Sequence, residues 1–114
     1  IIIEDEKPAA RLLQRKVEKF GLNVNTMLHS VEEAIHWFQN NNHPDLIFLD
    51  IQMPGKTGFD LLAELEKSPK VIFTTAYDEF ALKAFEVNAL DYLLKPVDEV
   101  ELRKAVERFS DYGP

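Results

Sequence analysis

Leu46-Ile47-Phe48-Leu49-Asp50-Ile51-Gln52-Met53-Pro54 is the stretch on which the reading of this chain turns. Residues 46–49 are apolar without alternation, the mark of a short strand covered on both faces, and such strands belong to parallel sheets with helices packed above and below. The run ends on an acid, so Asp50 is expected at the carboxyl end of a central strand. Two similar runs flank it in the chain, residues 1–3 and 71–73, and both are expected to be central as well. Residues 92–94 form a shorter candidate. In residues 24–28, Val24, Thr26 and Leu28 fall on one side and Asn25 and Met27 on the other, an alternation that suits a sheet edge.

Between these runs the apolar period lengthens to that of helices. Pro8 suits a first helical position, and the pattern continues through Leu13, Val17 and Phe20 to a stop at Gly21. Ser30 with Glu33 forms a capping box ahead of Ile35 and Phe38, and Asp98 with Glu101 another ahead of Leu102, Ala105, Val106 and Phe109. A third helix carries Leu61, Leu62 and Leu65. A fourth carries Phe80, Ala84 and Val87, with Asn88 as its terminator. Strand and helix thus alternate five times, which implies an α/β fold with a parallel sheet and right-handed crossovers. With the second and fifth strands at the edges, the order is the flavodoxin-like 2-1-3-4-5 of a doubly wound (βα)5 domain, in which ligands bind at the carboxyl ends of strands one and three.

Composition narrows the function. The 114 residues suit one domain, 46% of them are hydrophobic and 29% charged, and no apolar run approaches the ~20 residues of a membrane span. Without cysteine there are no disulfides or thiolate metal sites, and the first residues do not have the basic-then-apolar layout of a signal peptide; a cytoplasmic location is expected. The net charge of -7 argues against DNA binding by this domain alone, because such binding relies on cations that neutralise phosphates. Residues 1–110 are expected to form the domain and residues 111–114 a tail, or the start of a linker to a missing output domain. The opening on an apolar run without methionine suggests a fragment trimmed at its start.

The chemistry is expected where the topology gathers acids. Glu4 and Asp5 follow the first strand and Asp50 ends the third, so three carboxylates meet at one rim. At a separation of about 5 Å and an effective dielectric near 20, each ionised pair repels by roughly 3 kcal/mol. A divalent cation relieves that cost, and an all-oxygen donor set selects a hard ion, with Mg²⁺ favoured over Ca²⁺ in a small site that keeps water ligands. Lys95, after the fifth strand, brings an ammonium to the same rim, where it can neutralise an oxyanion; Thr75, at the end of the fourth, brings a hydroxyl that can donate to a phosphoryl oxygen. Taken singly, each has a plainer account: Asp5 as a helix cap ahead of Pro8, Asp50 as an exposed strand end, Lys95 as a solvated lysine, Thr75 as an ordinary strand residue. His29, His36 and His43 share no ligand spacing and read as scattered surface residues, and Trp37 reads as packing.

Glu4-Asp5, the run from Asp50 to Pro54 with Gly58 following, Thr75-Ala76 and Lys95-Pro96 occur in an order and spacing that resemble the receiver-domain family of two-component signalling, over residues 3–109. The resemblance implies that Asp50 is the phosphoacceptor for a sensor histidine kinase and that Asp5 and the Gln52 backbone carbonyl bind Mg²⁺ with it, Glu4 assisting largely through water. It further implies that Thr75 and Lys95 contact the phosphoryl group and that Thr75 and Tyr92 are the switch pair. Such a protein is a signalling phosphoacceptor that catalyses its own phosphoryl transfer and dephosphorylation, rather than a conventional enzyme. Gln52 and Tyr77, each two residues beyond a site residue, are expected to tune the lifetime of the acyl phosphate. The stretch from Thr74 to Phe85, with Asp91 to Pro96, looks like receivers joined to LytTR-type DNA-binding domains. That likeness implies transcription regulation through the missing output domain, and the receiver family implies a homodimer through helix four, strand five and helix five. Glu4 departs from the commoner Asp.

Two other α/β readings compete. A haloacid-dehalogenase-like phosphatase also uses a strand-end Asp with Mg²⁺, but carries a second Asp two residues later, where this chain has Gln52. A flavodoxin places a phosphate loop after the first strand, where Glu4-Asp5-Glu6 would repel the phosphate.

Overall fold

The computed structural model describes residues 1–67 and 69–112; Gly113 and Pro114, the end of the expected tail, lie outside the described residues. In chain order the elements are β1 (Ile2–Ile3), α1 (Lys7–Lys19), β2 (Met27–Leu28), α2 (Val31–Asn40), β3 (Ile47–Asp50), α3 (Gly58–Glu64), β4 (Val71–Thr75), a 3-10 turn (Asp78–Phe80), α4 (Ala81–Glu86), β5 (Asp91–Leu94) and α5 (Glu99–Tyr112). All strand pairs are parallel, in the order β2-β1-β3-β4-β5 expected from the sequence.

The unbroken apolar runs are explained by two cores, one on each face of the sheet. Ile3, Ile47, Leu49, Val71 and Phe73 face α2, α3 and α4, where Val31, Ala34, Phe38, Phe59, Leu61 and Ala84 pack against them. Ile2, Phe48, Ile72 and Leu93 face α1 and α5 and meet Ala10, Leu13, Val17, Leu102, Ala105 and Val106. Neighbouring residues of one strand thus serve opposite cores, and burying each large aliphatic side chain contributes about 1.5–3 kcal/mol.

Local signals set the helix ends. Pro8 lies in the first turn of α1, and Gly21, with φ 91°, turns the chain away after it. Ser30 Oγ accepts from the Glu33 amide at 3.0 Å, and Asp98 Oδ2 from the Glu101 amide at 3.1 Å. A complete reciprocal box forms at Thr57 and Asp60, at the start of α3, where none was anticipated.

Four elements depart from expectation, the first being α3, which ends at Glu64 and leaves Leu65 as its extended C-cap residue. β2 keeps only Met27 and Leu28 of residues 24–28, because its partner β1 spans only Ile2 and Ile3. Phe80 belongs to the 3-10 turn, and α4 begins at Ala81 with no side-chain cap and closes at Glu86, ahead of Asn88 at φ 60°. α5 continues through Asp111 and Tyr112, the first half of the expected tail.

Candidate functional site

Parallel pairing of β1 with β3 places Ile3 beside Leu49, so the residues that follow, Glu4 and Asp50, leave the sheet side by side. Glu4, Asp5 and Asp50 each offer a carboxylate oxygen, and the three lie within 4.8 Å of one another. Lys95, one residue beyond β5, reaches across the rim: its Nζ is bonded to Glu4 Oε1 and stands 3.3 Å from Asp50 Oδ2. Glu4 and Asp50 are each only 3% exposed, so two of the three acids are desolvated, with Asp5 and Lys95 half-buried beside them.

The electrostatics follow from that burial. Desolvation first, and then the Glu4 charge, push the Asp50 carboxyl up to about 7, with Lys95 offsetting them only in part. Burial also works against the Lys95 ammonium, but its bond to Glu4 and the Asp50 charge outweigh that, and its pKa lies above the ordinary lysine value. An excess of negative charge with hard oxygen donors fits a divalent cation, and Mg²⁺ suits it.

The Asp5 capping role is not realised: the cap position of α1 is Glu6, which makes no side-chain capping bond, while the Glu6 amide donates to Glu4 Oε2 at 3.1 Å. Gly58 is required by close approach. A Cβ there would stand 2.7 Å from the Asp50 carbonyl oxygen and 2.9 Å from Leu49 Cγ, so any larger residue would push on the strand end that carries Asp50. Gln52 is exposed and pairs with Thr57 in an isolated antiparallel bridge in the intervening loop.

Thr75 is fully buried at the end of β4, its Oγ1 accepting from the Tyr77 amide at 3.2 Å. The Tyr92 hydroxyl, from β5, donates to the Tyr77 carbonyl. The two expected switch residues therefore hold opposite sides of a single residue, Tyr77, whose own side chain is half exposed and lies edge-on to Phe80.

His29 corrects the reading of three scattered surface histidines. Its ring is partly buried and its Nδ1 lies 2.9 Å from the Glu4 carbonyl oxygen. No short motif marks it; the only available signal was its place after β2, beside β1 in the sheet. His43 packs against Phe38 with ring centres 5.4 Å apart, and Trp37 meets Phe38 edge-on, as packing residues do.

Fold and site together define an open, doubly wound α/β domain with an acid–lysine cluster at its topological switch point. Residues 1–107 match the family model of the response regulator receiver domain. The sensory transduction protein LytT of Bacillus subtilis is 39% identical over 117 residues, covering 96% of this chain and 47% of that protein. Among solved structures, the response regulatory domain of protein mrkE from Klebsiella pneumoniae superposes with a TM-score of 0.86 at 29% identity, covering 97% of this chain and 93% of that one. Response regulator TrrA from Thermotoga maritima, solved in complex with Mg²⁺ and BeF, gives 0.80 at 29% identity, with 95% of each chain covered. The chain belongs to the response regulator receiver domain family of two-component signalling proteins, and its LytT-named relatives agree with the LytTR-type resemblance. It spans about half the length of the curated relatives it matches. No described helix is long and apolar enough to cross a membrane.

Proposed function

We propose that Asp50 accepts a phosphoryl group from a phosphohistidine of a sensor histidine kinase, and that the modification biases the Thr75–Tyr92 region to control an attached LytTR-type DNA-binding output. The observation that carries this reading is the convergence of Glu4, Asp5, Asp50 and Lys95 at the carboxyl ends of β1, β3 and β5.

Glu4, Asp5 and Asp50 would hold Mg²⁺, with the Gln52 carbonyl as a further oxygen. When bound, the ion supplies positive charge against the phosphoryl oxygens. An Asp50 carboxylate oxygen attacks phosphorus, an O–P bond forms, and the N–P bond breaks with its electron pair returning to the donor imidazole. Lys95, 3.3 Å from Asp50, neutralises charge on the transferred group, and its second tie to Glu4 keeps the ammonium on the rim. Hydrolysis returns the free carboxylate, and Gln52 and Tyr77, both exposed beside the site, govern the approach of water.

The switch rests on Tyr77. When the Thr75 hydroxyl turns to a phosphoryl oxygen it releases the Tyr77 amide, and Tyr92, bonded to the carbonyl of the same residue, feels the displacement. A shift from 1:99 to 99:1 would need about 5.5 kcal/mol of differential stabilisation, so a partial change of population is the expected response. Leu82 and Phe85 on α4 and Leu94 on β5 are exposed apolar residues, which supports homodimerisation through α4, β5 and α5. A cytoplasmic location accords with this role.

The test is incubation with labelled phosphodonor and Mg²⁺. The parent acquires label and Asp50→Asn does not; equal labelling of the two would sink the assignment.

A further inference from the structure

We propose that His29 is a positioning residue for the divalent-cation site, fixing the peptide that joins Glu4 to Asp5; the inference rests on the reading of these acids as a cation site. A carbonyl oxygen carries no proton, so the 2.9 Å approach of His29 Nδ1 to the Glu4 oxygen requires Nδ1–H as donor and thereby sets the ring tautomer. The Glu4 amide donates in turn to the Leu28 carbonyl at 2.9 Å. Two consecutive residues at the end of β2 therefore grip Glu4 on both sides of its Cα.

The grip adds to one other bond that spans Asp5, from the Glu6 amide to Glu4 Oε2. Glu4's own carboxylate is held by the Glu6 amide and by Lys95, independently of His29. Asp5 lies in the turn before α1, whose cap residue Glu6 makes no side-chain capping bond; the Glu6 amide holds the Glu4 side chain across that turn, and His29 holds the Glu4 carbonyl. The carbonyl that His29 holds belongs to the Glu4–Asp5 peptide, whose planarity then fixes the position of the Asp5 Cα and the N–Cα axis about which its side chain can swing. His29 itself is anchored, since Ser30 immediately after it caps α2. One side chain just beyond the edge strand thus restrains the backbone that carries an acid to the site, as outer hydrogen bonds orient the ligands of many metal centres.

The test is Mg²⁺ binding, measured by calorimetry on the full chain at a temperature where circular dichroism shows every variant folded. His29→Ala is expected to weaken Mg²⁺ roughly five- to tenfold, the size of one lost orienting hydrogen bond. His29→Asn, whose amide can donate to the same carbonyl, should recover much of the affinity. His29→Phe, which keeps a ring but no donor, should not, and it replaces the alanine variant if that one fails to fold. Parent-like Mg²⁺ affinity in His29→Phe and His29→Ala, or equal losses in the Asn and Phe variants, would overturn the positioning role while leaving the acid cluster intact as a cation site. A parent that does not bind Mg²⁺ at all would overturn the cation site and this inference with it.

Discussion

The rim at the ends of β1, β3 and β5 and the segment from Asp78 to Val87 are built on opposite plans. At the rim, the Glu4 amide, carbonyl and both carboxylate oxygens are all bonded, and Glu4 and Asp50 are withdrawn from water. Around α4 the chain forms a three-residue 3-10 turn and a six-residue helix without a side-chain cap, and leaves Leu82 and Phe85 71% and 79% exposed. Only Ala84 of α4 is fully buried, with Phe80 packed partly against the core. The rim is thus a preorganised, electrostatically loaded site, and α4 is an element that few apolar contacts hold in place. The difference teaches where each task belongs: charge chemistry needs fixed partners, and a readout needs a part that a small change in free energy can move.

Removing the rim's cation should have the largest effect. Lys95→Ala leaves Glu4 and Asp50 buried without their counter-charge and should cost about 4 kcal/mol of stability in metal-free buffer, with Mg²⁺ restoring part of it; chemical denaturation with and without the ion measures both. Asp50→Asn should act in the opposite direction. Because the folded carboxyl titrates near 7 and the unfolded one near 3.8, the native state binds its proton more tightly, and metal-free stability falls as pH rises from about 4 to about 7. Above that window the parent carries the full penalty, so the Asn variant should be more stable by about 4 kcal/mol, with its pH slope flattened. An identical pH profile in parent and variant would show that Asp50 is not held in this environment.

Smaller effects sharpen the contrast. Gly58→Ala forces a Cβ against the Asp50 carbonyl oxygen and should cost about 2 kcal/mol while slowing phosphoryl labelling, a combination that distinguishes pressure on the rim from simple loss of helix stability. Leu82→Ser with Phe85→Ser lies at the other extreme. Stability should change by no more than about 0.5 kcal/mol for each, whereas sedimentation of the phosphorylated domain should show a weaker dimer; an unchanged dimer would remove α4 from the association surface.

The same two regions mark how far the sequence could be read. The strands at 46–49 and 71–73 and the acids beyond them were legible because uninterrupted apolar runs have few alternatives and the topology dictates which strand ends adjoin. Glu4, Asp5, Asp50 and Lys95 could be placed together from chain position alone. The geometry that tunes them could not. His29 carries no local pattern, and its bond to the Glu4 carbonyl exists only because β2 lies next to β1. The meeting of Thr75 and Tyr92 at the Tyr77 backbone likewise depends on how the chain turns after β4. Around α4 the apolar pattern at Phe80, Ala84 and Val87 overstated the helix, since no Ser, Thr, Asp or Asn stands at Phe80 to cap it and Asn88 turns the chain soon afterwards.

The most direct measurement is an NMR titration of the metal-free domain with Mg²⁺ and beryllofluoride, a mimic of the acyl phosphate. Shifts are expected at Asp50, Thr75 and Lys95 that depend on both additions, extend to Tyr77 and Tyr92, and vanish in Asp50→Asn. Spectra that stay unchanged, or that respond equally in the Asn variant, would contradict it.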